Sequence, residues 1–371
     1  MSGQPRSPVH EPEYIKTYNY SQIHIYELSN FGQVLGGCCI PLTRLDDIVD
    51  LLLSFDGISR KFVLPSIIDK LRLSSFKGDT PHSLGEDSAA IVTDSDDVVL
   101  LTTDAIVEDL CLTHPRAAGF NAVLANVMDI YAAGGTPTSF AVALSYSNPE
   151  IGSAMLDGLI AGSHTFKIPI VRGHTNSRSS STYVVGSATG TVQKNNLLTA
   201  GGARVDDILV LLFDSNGQRG AHYTLGWDSV TDRPSEEIVH RLSVMNSLAE
   251  QHFITASKDV SVAGVVGTAV MMLEYSGKGG LLYLDEIEKS KPSGIPLEDW
   301  LRMYISLGFL VATSKKNRSK LLRIASDHSL SSCIIGVVDD SREVKLSLDG
   351  KERVVFDFSK GPVLTPKNDH E

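Results

Sequence analysis

Short apolar runs alternate along the chain with longer stretches of helical spacing. A helix is predicted over 46–54, followed by an acidic turn, a strand over 98–103 and an Ala-rich helix over 117–133. A strand over 140–145, a helix over 151–166 and strands over 168–171 and 182–192 come next. Beyond Gly201-Gly202 the pattern resumes with a strand over 208–213 and helices over 235–251 and from 262 onward. A strand over 280–284, a helix over 297–304, a strand over 308–313, a helix over 316–326 and a strand over 333–338 lead to a hairpin turned by Asp349-Gly350. Such alternation predicts α/β or α+β layers in both halves. The expected division is an N-terminal extension over 1–44, a first domain over 45–198 and a second over 199–371.

Carboxylates sit at the ends of several of these elements. Gly85-Glu86-Asp87-Ser88-Ala89-Ala90 puts an acidic pair in a turn before an apolar run, and Thr102-Thr103-Asp104 ends the next strand. Asn126 and Asp129, three positions apart, share a face of the Ala-rich helix, which Gly134-Gly135 and Pro137 stop. Gly173-His174 follows another apolar strand, and Lys258-Asp259 precedes a helical run whose first amides could receive an anion. Clustered carboxylates with nearby phosphate donors are what a hard cation such as Mg²⁺ requires. Each segment by itself also reads as a solvated turn or a polar helix stripe.

Composition narrows the classes. The 33 basic and 44 acidic residues leave a net charge of −11, which argues against a nucleic-acid partner. No apolar stretch is long enough for a membrane span, and no secretory signal is visible, so a cytoplasmic protein is expected. The four cysteines at 38, 39, 111 and 333 form no C-x-x-C pair and are read as reduced thiols.

Taken in order, these motifs resemble the superfamily of aminoimidazole ribonucleotide (AIR) synthetase, selenophosphate synthetase, thiamine-monophosphate kinase and the hydrogenase-maturation dehydratase. Gly85 to Ala90 looks like the family's Gly-Asp-Asp-Ala-Ala turn, and Thr102-Thr103-Asp104 like its Thr-Thr-Asp strand end. Asn126 to Pro137 is similar to its Asn-x-Ser-Asp-Ile-Ala-Ala-Met-Gly-Gly-x-Pro helix. Gly173-His174-Thr175-Asn176 and Lys258-Asp259-Val260-Ser261-x-x-Gly264 are closer to an AIR-synthase-like branch associated with nitrilase gene clusters. Where family kinases carry Gly-Gly-Asp-Thr and Asp-x-Ser-Asp-Gly, this chain has His174 and Val262 in place of acids.

The resemblance implies a two-domain AIR synthase-like fold, with first-domain sheets pairing across a homodimer. It further implies a Mg²⁺-dependent enzyme that uses ATP to phosphorylate a small-molecule carbonyl, amide or anionic acceptor. Metal ligands are expected at Asp87, Asp104, Asp129 and Asp259. Gly85, Thr103, Asn126, Gly134, Gly135 and Gly173 are expected around the nucleotide, and His174, Arg178 and Lys258 at the reacting groups. Basic residues at Arg60-Lys61 are placed near the cleft by the same resemblance. Two further readings stay open, a nucleotide-binding accessory protein without turnover and a thiamine-monophosphate kinase-like phosphotransferase.

Overall fold

The computed structural model describes residues 43–76 and 83–366; Cys38 and Cys39 lie outside the described residues. Three helices open it, α1 (Arg44–Leu53), α2 (Asp56–Ser59) and α3 (Leu64–Ser74). Thr43 caps α1 by exchanging hydrogen bonds with Asp46, and the helix buries Leu45, Ile48 and Leu52.

Then follow β1 (Ala89–Val92), β2 (Asp97–Ala105), α4 (Glu108–Thr113), α5 (Pro115–Ala132), β3 (Thr136–Ser145), α6 (Pro149–Phe166), β4 (Ile170–Asn176) and β5 (Tyr183–Gln193). The strands form a five-stranded sheet in the order β1-β2-β5-β3-β4, antiparallel except where α6 connects the parallel pair β3 and β4. Helices α5 and α6 cover one face. Their backbones nearly touch, since a Cβ on Gly119 would lie 2.0 Å from the Met155 carbonyl and one on Gly158 2.0 Å from that of Arg116. The other face carries Leu101, Thr103 and Tyr183 in the open.

The second half contains β6 (Asp207–Phe213), β7 (Gln218–Arg219), β8 (Gly226–Asp228), α7 (Ser235–Leu242), α8 (Val244–Ala249), β9 (Ile254–Asp259) and α9 (Gly264–Tyr275). It continues with β10 (Gly279–Tyr283), α10 (Leu284–Ser290), α11 (Leu297–Trp300), β11 (Tyr304–Ile305), β12 (Phe309–Ser314) and α12 (Arg318–Asp327). The last strands are β13 (Ser331–Asp339), β14 (Glu343–Leu348) and β15 (Lys351–Asp357). A seven-stranded sheet runs β15-β14-β10-β13-β6-β12-β9, and β11-β8-β7 form a small third sheet.

Central strand β6 is buried on both faces, as a continuous apolar run requires. Its Leu209, Leu211 and Phe213 join α9 in one core. Its Ile208, Val210 and Leu212 join α5 and the first sheet in another. That second core locks α5 between the two sheets, which explains why this helix is apolar almost all round.

The mixed α/β class predicted from the alternation holds. Several boundaries differ, and the strand expected over 140–145 already starts at Thr136. The helix expected over 235–251 breaks at Ser243 into α7 and α8. The helix expected over 297–304 lasts one turn and gives way to β11. The strand expected to stop at 171 continues through Gly173 and His174 to Asn176. Among the described residues, no helix is long and apolar enough to cross a membrane, and Cys111 and Cys333 are free and buried.

Candidate metal and phosphate site

Strand alternation decides which residues of the Thr-Thr-Asp segment face inward. Val98, Leu100, Thr102 and Asp104 point from β2 toward α5, whereas Thr103 points to the open face and bonds Ser187. The hydroxyl that reaches the acidic helix is therefore that of Thr102, which donates to Asp129. Asp129 lies in the last turn of α5, where the negative end of the helix dipole adds to its need for a positive partner. Asp87 enters from the turn before β1. Gly85 permits that turn, with φ of +106° and no room for a Cβ against Tyr275. Asp259 ends β9, and its own N–H donates to Asp87 Oδ2 at 3.2 Å.

Carboxylate oxygens of Asp87, Asp129 and Asp259 thus come within 4.8 Å of one another. Asp104 stands beside them, near enough for Asp129 to influence its titration. One Asp104 oxygen is buried and meets no donor among the described residues. Lys258 Nζ donates to Asp87 in an ion pair with side chains only 5% and 10% exposed.

Burial and mutual repulsion set the electrostatics. Burial first, then the charges of Asp104, Asp259 and Asp87, hold Asp129 well above the usual carboxylate range. Burial and Asp87 push Asp259 up to about 8 against the pull of Lys258. Asp104 is raised by burial and by Asp87, with its hydrogen bond to Asp129 working the other way. Burial also works against the Lys258 charge, but Asp87 and Asp259 outweigh it and raise its pKa. The donor set fits a hard divalent cation: oxygen ligands, excess negative charge, and a buried carboxylate oxygen without a donor.

Two residues at this site were not singled out as ligand or catalytic groups from the sequence. Lys61, just past α2, is half-buried near Lys258, Asp259 and Asp87, and desolvation followed by the Lys258 charge lowers its pKa. Tyr304 on β11 faces Asp259, Asp104 and Asp129, and burial plus those charges hold its phenol well above its usual range.

Other expected site residues lie elsewhere. Asp104, Gly186, Val142 and Gly173 form one row across β2, β5, β3 and β4, all on the side facing α5. His174 belongs to the next row, with Ala105, Val185 and Ala143, and so points to the opposite face. Arg178 is exposed in the turn after β4. Asn126 is buried one turn before Asp129, donating to the Ala122 carbonyl at 2.8 Å and packing against Gly186.

Gly134 and Gly135 close the end of α5. Gly134 has φ of +78°, and Asn246 donates to both glycine carbonyls, at 3.0 and 2.9 Å. Gly134 lines a separate polar cavity of about 480 Å³ with Glu250 and His252, which includes none of the four clustered aspartates. The start of α9 is not open to an anion. The Val266 N–H donates to Leu301, and a Cβ on Gly264 would meet the Arg302 backbone at 2.5 Å.

Residues 85–192 match the family of AIR synthase related proteins, N-terminal domain, and residues 204–349 match its C-terminal domain. An uncharacterised Synechocystis protein is 31% identical over 280 residues, 76% of this chain and 85% of that protein. The fold is similar to PurL of T. maritima complexed with ADP, with a TM-score of 0.66 and 17% identity. That match covers 85% of this chain but only 53% of PurL, so the chain spans about half the length of PurL. It is also similar to AaThiL complexed with AMPPCP and TMP, with a TM-score of 0.56, 19% identity, and coverage of 80% of this chain and 96% of AaThiL. The chain belongs to the AIR synthase-related family, and its paired domains build the two-domain fold of that family.

Proposed function

We propose that this protein is a cytoplasmic, ATP- and Mg²⁺-dependent enzyme that phosphorylates a small molecule at a carbonyl, amide or anionic oxygen. The observation that carries this reading is the convergence of Asp87, Asp129 and Asp259, from three distant parts of the chain, to within 4.8 Å. Structural neighbours complexed with ADP and with AMPPCP support a nucleotide as the other component.

In this reading Asp87, Asp129 and Asp259 hold the cation, and Asp104 supplies further negative charge behind them. Bound there, Mg²⁺ would neutralise charge on the transferred phosphoryl group and align its oxygens. Thr102 fixes one carboxylate oxygen of Asp129, and Lys258 fixes Asp87. Lys61 brings a second cation to the edge of the cluster, suited to a phosphate oxygen. His174, Arg178 and Thr103 have no part in this site within one chain, because strand alternation and exposure direct them away.

A homodimer through the first sheet belongs to the same proposal. Its support is the uncovered face bearing Leu101 and Tyr183 and the exposed edge strand β4 with Val171. Sedimentation at micromolar concentration reads the dimer out directly.

Calorimetry of ATP binding with and without Mg²⁺, followed by ATP hydrolysis with a panel of small acceptors, tests the reading. Tight binding only with Mg²⁺, and hydrolysis that an acceptor stimulates, are expected. Binding without hydrolysis under any acceptor would instead make this a nucleotide-binding accessory protein. Absence of binding would remove the nucleotide altogether.

A further inference from the structure

Glu274 is the one charged side chain of α9, a helix whose 12 residues are all buried. A carboxylate in the last turn of a buried helix is opposed by desolvation and by the helix dipole. Three backbone donors answer it. The Val363 N–H donates to Oε1 at 2.5 Å, and the Leu364 and Thr365 N–H groups donate to Oε2, each at 2.7 Å. These three residues lie between Pro362 and Pro366 in a stretch that belongs to no strand, so their N–H groups have no ladder to enter. Thr365 Oγ1 also donates to the Met271 carbonyl at 3.3 Å, and the Leu364 side chain is fully buried.

The two residues after Glu274 grip other parts of the chain. The Tyr275 ring lies between two glycines: a Cβ would meet it at 2.8 Å on Gly85 and at 2.9 Å on Gly201. Thr365 backs the same turn, 3.8 Å from a Cβ on Gly85. Ser276 donates to the Ala200 carbonyl and accepts the Ala203 N–H, both at 3.1 Å. Glu86, in the turn itself, accepts the Ala200 N–H at 2.7 Å. The stretch from Val363 to Thr365, the link between β5 and β6, and the turn that carries Asp87 therefore meet at one helix end.

We infer that Glu274 is a positioning residue of the metal site: by docking Val363 to Thr365 it braces Tyr275 and Thr365 against Gly85, and so fixes the turn that carries Asp87. The inference goes beyond the reading above and rests on it only for Asp87 as a metal ligand. Gly85, at φ of +106°, has no side chain of its own to anchor the turn, so its place is set by what packs against it. Lys258 holds the Asp87 carboxylate, whereas this junction holds the backbone that carries it. Loss of the junction loosens the cation site rather than abolishing it. Groups that orient metal ligands from behind typically contribute about 10–100-fold to affinity.

Glu274→Gln keeps the size of the side chain but sets an NH₂ group against N–H donors, so at least one of the three loses its acceptor. Mn²⁺ titration followed by electron paramagnetic resonance, and hydrogen exchange read by mass spectrometry, test the inference in the full chain. The variant should bind Mn²⁺ at least about tenfold more weakly. Residues 84–90 should exchange at least about tenfold faster than in wild type. Unchanged exchange over 84–90, or Mn²⁺ affinity within about twofold of wild type with only the melting temperature lowered, would make Glu274 merely structural and overturn the inference. If the variant fails to fold, wild type decides: in low urea, residues 84–90 and 362–366 should become exchangeable together, and separate opening would overturn the inference. If wild type binds no Mn²⁺, the metal reading fails, and exchange over 84–90 in the variant still decides whether Glu274 fixes the turn.

Discussion

Asp87 and Lys258 form a buried ion pair although 171 positions separate them in the sequence. The pair ties the turn before β1 to the end of β9, and so holds the carboxylates of both halves in one cluster. Breaking one partner of a buried pair leaves the other uncompensated and typically costs about 3–5 kcal/mol. Lys258→Met should therefore destabilise the metal-free protein by about that amount in urea unfolding, and Mg²⁺ should restore part of the loss. A change below about 1 kcal/mol would mean that Asp87 is not held by this contact.

Stability of the metal-free protein should fall as pH rises from weakly acidic to weakly basic. Asp259 is held up to about 8, by burial first and then by Asp87. An unfolded aspartate titrates near about 4. Between those values the folded chain keeps a proton that the unfolded chain has released. The stability linked to this group is full below about pH 4 and is lost as pH rises through about 8. Asp259→Asn should remove a slope on the order of a few kcal/mol across that window. Saturating Mg²⁺ should flatten the wild-type curve as well, because cation binding favours the ionised carboxylate. Parallel wild-type and Asp259→Asn curves in metal-free buffer would contradict the assignment.

Gly186 is a packing residue of the site. It faces Asp104 across the β2–β5 ladder, and a Cβ there would meet Asn126 Nδ2 at 2.6 Å and the Ala122 carbonyl at 2.8 Å. Gly186→Ala should push α5 away from the sheet and separate Asp129 from Asp104. Overpacking of this kind costs about 1–3 kcal/mol. The expected outcome is a lower melting temperature together with weaker divalent-cation binding. Loss of stability with unchanged cation affinity would show that α5 does not transmit the shift to Asp129.

The four aspartates were legible in the sequence because each follows a glycine turn, ends an apolar run or sits on a recognisable helix. Their neighbours were harder to read. An apolar run followed by Arg172-Gly173 gives no sign of whether the strand stops or continues, and β4 continues. Once it does, the period of two turns His174 to the far face of the sheet. The same period separates Thr102 from Thr103, which look equivalent in the one-letter string. Lys61 follows a helix of only 4 residues, and Tyr304 opens a strand of 2, too short for any period to show. Gly119 and Gly158 read as weak points in helices, whereas their use is the close α5–α6 crossing, a property of two distant segments together.

Binding of Mn²⁺, a paramagnetic stand-in for Mg²⁺, tests the central claim most directly. Electron paramagnetic resonance can count free Mn²⁺ during titration of wild type, Asp129→Asn and His174→Ala, each with and without ATP. The account predicts that ATP tightens Mn²⁺ binding in wild type and in His174→Ala alike. Asp129→Asn should weaken it on the order of 10²-fold, since one charged ligand of a hard cation is replaced by a neutral one. Equal Mn²⁺ affinity in wild type and Asp129→Asn, or loss in His174→Ala alone, would contradict a metal site built from these carboxylates.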